Sequence, residues 1–141
     1  MILLDTTVLV YAVGTEHPLR DPSRRVIEAI GDGLPATTTP EVIQEFAHVA
    51  ARRRSREQAA SWAAAYVDLL SPLAVVGEQE LASGLRLFES VEQLGAFDAV
   101  LAATALEHEV DALVSADVAF DAVPKLRFVA LDSTGLEALL A

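Results

Sequence analysis

Four acidic residues stand among apolar neighbours, where a charge that serves only solubility would be out of place: Asp5, Glu45, Asp98 and Asp117. Such charges are rare unless they are paired, and the sequence offers no matching set of basic residues. Two carboxylates about 4 Å apart repel by about 4 kcal/mol at an effective dielectric near 20. If the four converge, some must be protonated or a hard cation must sit between them. Oxygen ligands in a chain without cysteine favour Mg²⁺ or Mn²⁺ over zinc.

Two of these acids follow predicted strands. Asp5 ends the apolar run Ile2–Leu4, and Asp117 comes shortly after the run Ala112–Val114. Open α/β folds build their sites at the carboxyl edge of the sheet, so both side chains are predicted to lie there. Each has a structural alternative, since an Asp after a strand often caps the following helix or turn.

The other two acids lie on predicted helices. Asp98 shares its face with apolar residues three, four and seven positions later, near a helix N-terminus where the macrodipole favours an anion by about 0.3–1 kcal/mol. Glu45 borders the inward face of a helix that opens at Thr39-Pro40. Glu41, one turn earlier, is interpreted as structural, because a Glu in the first turn of a helix is common. For Asp98 alone, helix capping explains the charge equally well.

The pattern of the chain predicts an α/β fold in which strands alternate with helices. The expected architecture has three layers, α/β/α, around a central, mainly parallel sheet of about five strands, in one domain over residues 1–141. Asp21-Pro22 and Ser55 with Gln58 are further helix-start signals. The predicted strands are Ile2–Leu4, Leu34–Thr38, Ala74–Val76, Ala112–Val114 and Phe128–Leu131.

Composition limits the class of protein. Ten basic and 21 acidic residues give a net charge of −11, which argues against non-specific coating of nucleic acid. The absence of cysteine suits a reducing cytoplasm, and no apolar run approaches the roughly 20 residues of a membrane span. No signal peptide or glycine-rich phosphate loop is recognisable, so no nucleotide cofactor is expected. The basic cluster Arg52, Arg53, Arg54 and Arg56 fits a solvated helix junction and a guide for a polyanion equally well.

Two other phosphoryl-transfer families begin with an Asp after a strand. The haloacid dehalogenase pattern needs a second Asp two residues later, where this chain has Thr7. A response-regulator receiver needs several acids at the first strand and a Lys after a late strand. The single lysine, Lys125, precedes the last predicted strand. The sequence therefore fits neither the haloacid dehalogenase pattern nor the receiver pattern well.

Four blocks of the sequence, in their order and spacing, resemble a PIN domain, and the length resembles the single-domain VapC-type toxins of bacterial toxin–antitoxin pairs. The blocks are Ile2–Leu9, the Glu45 helix, Phe97–Ala105 and Leu113–Phe120. By this resemblance Asp5, Glu45, Asp98 and Asp117 match the family's acidic quartet, with Asp5, Asp98 and Asp117 as metal ligands. Thr6 and Ser115 match supporting hydroxyl residues, and Asp121 matches an auxiliary acid. Many relatives carry Arg where this chain has Phe97, which puts substrate contacts near the site in doubt.

The resemblance implies a cytoplasmic endoribonuclease that uses Mg²⁺ or Mn²⁺ and acts as the toxin of such a pair. It further implies an RNA substrate, a VapB-type antitoxin, a homodimer and a toxin–antitoxin hetero-oligomer, with no membrane association. The alternative is a catalytically silent PIN-like module that binds RNA or protein. The complete quartet argues against this alternative, because loss of activity usually accompanies loss of acids.

Overall fold

Four short parallel strands form the centre of the molecule in a computed structural model that describes residues 1–141. The strands lie in the order β2-β1-β3-β4, and each neighbouring pair is parallel. Leu3 in the central strand β1 is opposite Thr37 on one side and Leu113 on the other. The α/β class and the parallel sheet are therefore confirmed. The strands are β1 Ile2–Leu4, β2 Ala36–Thr37, β3 Ala112–Ser115 and β4 Phe128–Ala130.

Seven α-helices and one 3₁₀ helix surround this sheet. Every residue of β1 and β3 is buried, and because successive strand residues point to opposite faces, both faces of the sheet are covered. None of the helices has the length and apolar character that crossing a membrane demands. The helices are α1 Thr6–Val13, α2 Arg20–Gly31, α3 Pro40–Arg53, α4 Arg56–Leu70, α5 Glu78–Ser90, α6 Ala96–Glu107, the 3₁₀ helix Val118–Ala122 and α7 Thr134–Leu140.

The predicted strand Ala74–Val76 is wrong, and the sheet has four strands instead of about five. This segment contacts the sheet edge through one backbone hydrogen bond, from the Ala74 N–H to the Thr38 carbonyl at 2.9 Å. Because β2 is only two residues long, Thr38 already lies beyond its end. A parallel ladder needs a neighbour of matching length, and β2 does not supply one.

Two predicted helix starts are confirmed. The hydroxyl groups of Thr39 and Ser55 accept the backbone N–H groups of Val42 and Gln58 at 3.1 Å, which caps α3 and α4. The prediction that Asp21 caps a helix starting at Pro22 is wrong, because α2 begins two residues earlier, at Arg20, with Asp21 inside its first turn. Helices α3 and α4 pack against each other as a helical hairpin.

Close packing fixes the position of α6, the helix that carries Asp98. Gly84 of α5 lies so near α6 that a Cβ atom there would approach the Val100 Cα to 2.5 Å. Such a separation is far below van der Waals contact, so only glycine permits this approach of the two helices.

Candidate active site

The carboxyl edge of the two central strands holds Asp5 and Asp117. Asp5 directly follows β1, and its N–H donates to the Val114 carbonyl of the neighbouring strand at 3.0 Å. The Asp5 side chain is 4% exposed. Asp5 occupies the N-cap position of α1 but makes no side-chain cap hydrogen bond of normal geometry. Its position is therefore better explained by the hydroxyl groups around it than by helix capping.

Two hydroxyl groups hold the Asp5 carboxylate. Ser115 donates to Asp5 Oδ2 at 2.5 Å, and Thr7 donates to the same oxygen at 3.0 Å. Thr7 is itself oriented by the Ala116 N–H, which donates to its hydroxyl oxygen at 2.9 Å. Burial raises the pKa of Asp5, while these hydrogen bonds and nearby backbone N–H groups partly counteract the rise. Ser115 thus lies where its supporting role was predicted, and Thr7 is an addition that the sequence analysis missed.

Glu45 reaches the same region from α3. The Thr6 hydroxyl donates to Glu45 Oε2 at 2.9 Å, which ties the start of α1 to the middle of α3. Glu45 is otherwise exposed, so its second oxygen is open to solvent or substrate. Thr6 therefore touches an acid of the quartet, as expected for a supporting hydroxyl residue.

Asp117 combines a capping role with a place beside the other acids. Its Oδ1 accepts the Ala119 N–H at 2.9 Å, which caps the 3₁₀ helix, and its own N–H donates to the Ser115 hydroxyl at 2.9 Å. The interpretation of Asp117 as a residue that caps the following turn is thus correct. Oδ2 makes no hydrogen bond within the protein, so one oxygen of this carboxylate is free for a ligand.

The pKa of Asp98 indicates that the four acids lie near one another. It lies in the first turn of α6, and its pKa is raised to about 7. Burial is the largest cause of this rise, and the charges of Asp5, Asp117 and Glu45 add to it in that order. Four carboxylates from four segments of the chain therefore share one electrostatic environment.

The carboxylate oxygens of these four acids are ligands that suit a hard divalent cation, although their present arrangement does not enclose one. No three histidine, aspartate or glutamate side chains lie close enough together to hold a metal ion. Charge repulsion acts over several ångströms, whereas metal–oxygen bonds are about 2.0–2.1 Å for Mg²⁺. The acids can therefore raise the pKa of Asp98 without lying at coordination distance from one point.

Asp121 makes no hydrogen bond with any of the four acids. It is exposed on the 3₁₀ helix, and its charge is not among those that raise the pKa of Asp98. The auxiliary role implied for Asp121 gains no support from its position.

The basic cluster lies at the corner between α3 and α4. Arg52, Arg53, Arg54 and Arg56 are all exposed, and none has a carboxylate within 4.0 Å. Arg53 and Arg54 line one end of an apolar groove of about 370 Å³. The remaining lining comes from α1, the loop after it, α3 and α4: Val10, Val13, Gly14, Thr15, Phe46, Val49, Ala50 and Trp62.

Comparison with known proteins agrees with this geometry. The PIN domain model matches residues 2–126. The chain is 50% identical to Ribonuclease VapC7 of Mycobacterium tuberculosis over 99% of its length and 98% of that protein. It is 32% identical to Ribonuclease VapC13 of the same organism over 92% of its length and all of that protein.

Solved structures show the same fold at low sequence identity. VapBC2 from Rickettsia felis, bound to a DNA fragment from its promoter, matches with a TM-score of 0.73 at 21% identity, covering 92% of this chain and 98% of the other. VapBC-1 from nontypeable Haemophilus influenzae matches with a TM-score of 0.72 at 17% identity, covering 94% and 100%. The match to the family model and the 50% identity to a relative over nearly the whole chain establish the family. This chain belongs to the PIN domain proteins and, among them, to the VapC ribonucleases.

Proposed function

We propose that this VapC ribonuclease cleaves RNA internally with a bound divalent cation, Mg²⁺ or Mn²⁺, as the toxin of a toxin–antitoxin pair. The observation that carries the proposal is the placement of a buried Asp5, held by Ser115 and Thr7 at the end of β1, near Asp98, Asp117 and Glu45, whose charges act on one another. Such perturbed acids gathered at the carboxyl edge of a parallel sheet are typical of catalytic sites. The 50% identity to Ribonuclease VapC7 supports the choice of RNA as the substrate.

The surroundings of each acid suggest its role in the reaction. Asp5, Asp98 and Asp117 would hold the cation, and Asp5 is pre-positioned by Ser115 and Thr7. A cation bound there supplies a water nucleophile near neutral pH and neutralises charge on the phosphoryl oxygens. Glu45, with one oxygen held by Thr6 and the other exposed, is placed to orient that water or accept its proton.

Mg²⁺ or Mn²⁺ is expected to raise the melting temperature of the purified chain. A ligand that binds only the folded state stabilises it by about 2.7 kcal/mol at a hundred times its dissociation constant. Here the cation also relieves repulsion among the acids. The measurement is thermal unfolding in EDTA and in increasing MgCl₂ or MnCl₂. The matched control replaces both Asp5 and Asp98 by Asn, and an equal shift in that variant would place the ion elsewhere.

The partners follow from the family. We propose a VapB-type antitoxin that blocks the site, a toxin homodimer and a toxin–antitoxin hetero-oligomer, all in the cytoplasm. The two solved neighbours are VapBC structures, which supports an antitoxin of this type. The apolar groove between α1, α3 and α4 is the surface we assign to an amphipathic antitoxin segment.

The unpaired arginines at the α3–α4 corner are expected to guide RNA. Replacing Arg52, Arg53, Arg54 and Arg56 by Glu should raise KM for RNA and flatten its salt dependence, because each lost phosphate contact lowers the logarithmic salt slope by about 0.7 for single strands. The Mg²⁺-induced rise in melting temperature should stay unchanged, since none of the four arginines pairs with a carboxylate and none is among the charges that shift the pKa of Asp98. Cleavage rates equal to wild type at low and moderate salt would leave the cluster as a solvated helix junction.

A further inference from the structure

One exposed face of α3 leads from the acidic site to the basic cluster. It carries Glu45, His48 and Arg52, which are separated by three and then four residues, the spacing at which side chains share one face of an α-helix. All three are exposed. The Thr6 hydroxyl ties Glu45 to the start of α1, directly after Asp5, so one end of this face belongs to the active site. We call these three residues the α3 track.

Beyond Glu45 the α3 track offers unpaired N–H donors. Neither His48 nor Arg52 has a carboxylate within 4.0 Å, although Glu45 is less than one turn from His48. A guanidinium carries five N–H groups and an imidazole at least one. Towards the N-terminus the same face continues to the half-buried carboxylate of Glu41. An anion that follows α3 from the acids is therefore favoured only on the side of His48 and Arg52.

Arg52 differs from its neighbours in the surface that it serves. Arg53 and Arg54 line the apolar groove between α1, α3 and α4, whereas Arg52 is not part of that lining. Consecutive residues of an α-helix point about 100° apart, so Arg52 and Arg53 face different surfaces. The geometry of α3 thus divides the basic cluster between the groove and the α3 track.

The dimensions of the α3 track suit a single nucleic-acid strand. An α-helix rises about 1.5 Å per residue, which places His48 about 4.5 Å and Arg52 about 10.5 Å beyond Glu45 along the axis. A stacked strand carries one phosphate per about 3.4 Å. A strand that follows α3 with its scissile phosphate at the acids can therefore bring nearby phosphate groups first to His48 and then to Arg52.

Resting on the proposed ribonuclease function, we infer that the α3 track binds the RNA strand on one side of the cleavage position, with His48 and Arg52 as donors to its phosphate groups. These contacts carry no base specificity, because every sequence has the same backbone. They fix the register of the strand on the acids. His48 and Arg52 are thus substrate-binding residues, whereas Glu45 stands where the reaction occurs.

Arg52 also has a structural explanation, which the chain itself allows to be tested. A basic residue in the last turn of a helix complements the macrodipole, and both Arg52 and Arg53 occupy that turn of α3. Arg53→Gln removes the same contribution from the same turn, so it is the matched control for Arg52→Gln.

A protein partner is the competing occupant of this face. None of the exposed large apolar side chains lies on α3, so the α3 track lacks the apolar anchors that a protein interface uses. The neighbouring groove has them in Phe46 and Trp62. Charge and polarity therefore favour RNA on the α3 track and a protein segment in the groove.

The test measures binding of a labelled ten-nucleotide single-stranded RNA of mixed sequence in EDTA, in an Asp98→Asn background that cannot cut. Arg52→Gln and His48→Ala should each weaken binding about three- to tenfold, as expected for one exposed charged or polar contact. Arg52→Gln should also reduce the logarithmic salt slope by about 0.7. His48→Arg should restore the affinity, because it supplies a donor at the same place. Arg53→Gln should change neither the affinity nor the slope.

Four outcomes would overturn the inference. Equal losses in Arg52→Gln and Arg53→Gln would show that the cluster attracts RNA by net charge alone. Unchanged affinity in either His48→Ala or Arg52→Gln would remove that residue from the RNA contact. A loss in His48→Ala that His48→Arg does not restore would assign it to altered packing. Weaker binding of the proposed VapB-type antitoxin, with unchanged RNA affinity, would assign the face to a protein.

Cleavage by the unmutated chain separates this inference from the proposed function. RNA that binds through His48 and Arg52 but is not cut with Mg²⁺ or Mn²⁺ would refute only the cation-dependent cleavage. Cutting whose KM does not change in Arg52→Gln or His48→Ala would refute only the α3 track.

Discussion

Asp98→Asn is expected to lower RNA cleavage by about a thousandfold or more, because a metal ligand that neutralises phosphoryl charge contributes several kcal/mol and each 1.36 kcal/mol is tenfold in rate. The amide keeps the shape of the carboxylate and removes its charge. The measurement is the initial rate on total RNA with saturating Mg²⁺ or Mn²⁺. Asp121→Asn is the matched control, since Asp121 is exposed and its charge is not among those that raise the pKa of Asp98. Activity near that of the unmutated chain in Asp98→Asn would show that the site is wrongly assigned.

The same substitution is expected to stabilise the metal-free protein, and to do so more at pH 8 than at pH 5. The folded-state pKa of Asp98 is about 7 against an ordinary value of 3.8. Between those values the folded chain binds a proton that the unfolded chain has lost, so stability falls as pH rises towards 7. Asn cannot ionise, so the variant does not lose stability in this way as pH rises. Melting curves in EDTA at both pH values test this, and an equal shift at pH 5 and pH 8 would contradict it.

The parts of the fold that were predicted correctly depend on local signals. A strand that ends immediately before Asp5, a Thr39-Pro40 cap and the first-turn position of Asp98 are all set within a few residues of sequence. The predicted strand Ala74–Val76 failed because pairing depends on the length of a distant neighbour, β2, which ends too early. Apolar character identifies a buried segment but does not show that a ladder partner exists.

The features of the site that were missed depend on contacts between distant segments. Thr7 approaches the Ser115 hydroxyl to 3.3 Å across 108 positions of sequence, and only the parallel pairing of β1 with β3 brings them together. Sequence indicates which residues can do chemistry, whereas burial and hydrogen bonding decide what each of them does.

The groove and the acidic site impose different demands on an antitoxin. The groove between α1, α3 and α4 is lined by apolar side chains such as Phe46 and Trp62, so it favours the apolar face of an amphipathic segment. The acidic site is strongly anionic, so it favours a cationic side chain. Arg fits better than Lys, because its planar guanidinium can bind two carboxylates at once and compete with a cation. Binding and inhibition are therefore separable properties of one partner.

Replacing the inserted Arg of the antitoxin is accordingly expected to restore RNA cleavage while the two proteins remain bound. The experiment purifies this chain with its proposed VapB-type antitoxin and changes each Arg in the C-terminal half of that protein to Ala. One variant should regain most of the activity of the free toxin, because the acids are again open to a cation, and size-exclusion chromatography should still show the complex. Trp62→Ala in the groove is the complementary control, since it should weaken the complex without changing the activity of the free toxin. Inhibition that survives the loss of every Arg and Lys in that half would refute the insertion of a cation, even if the complex persists.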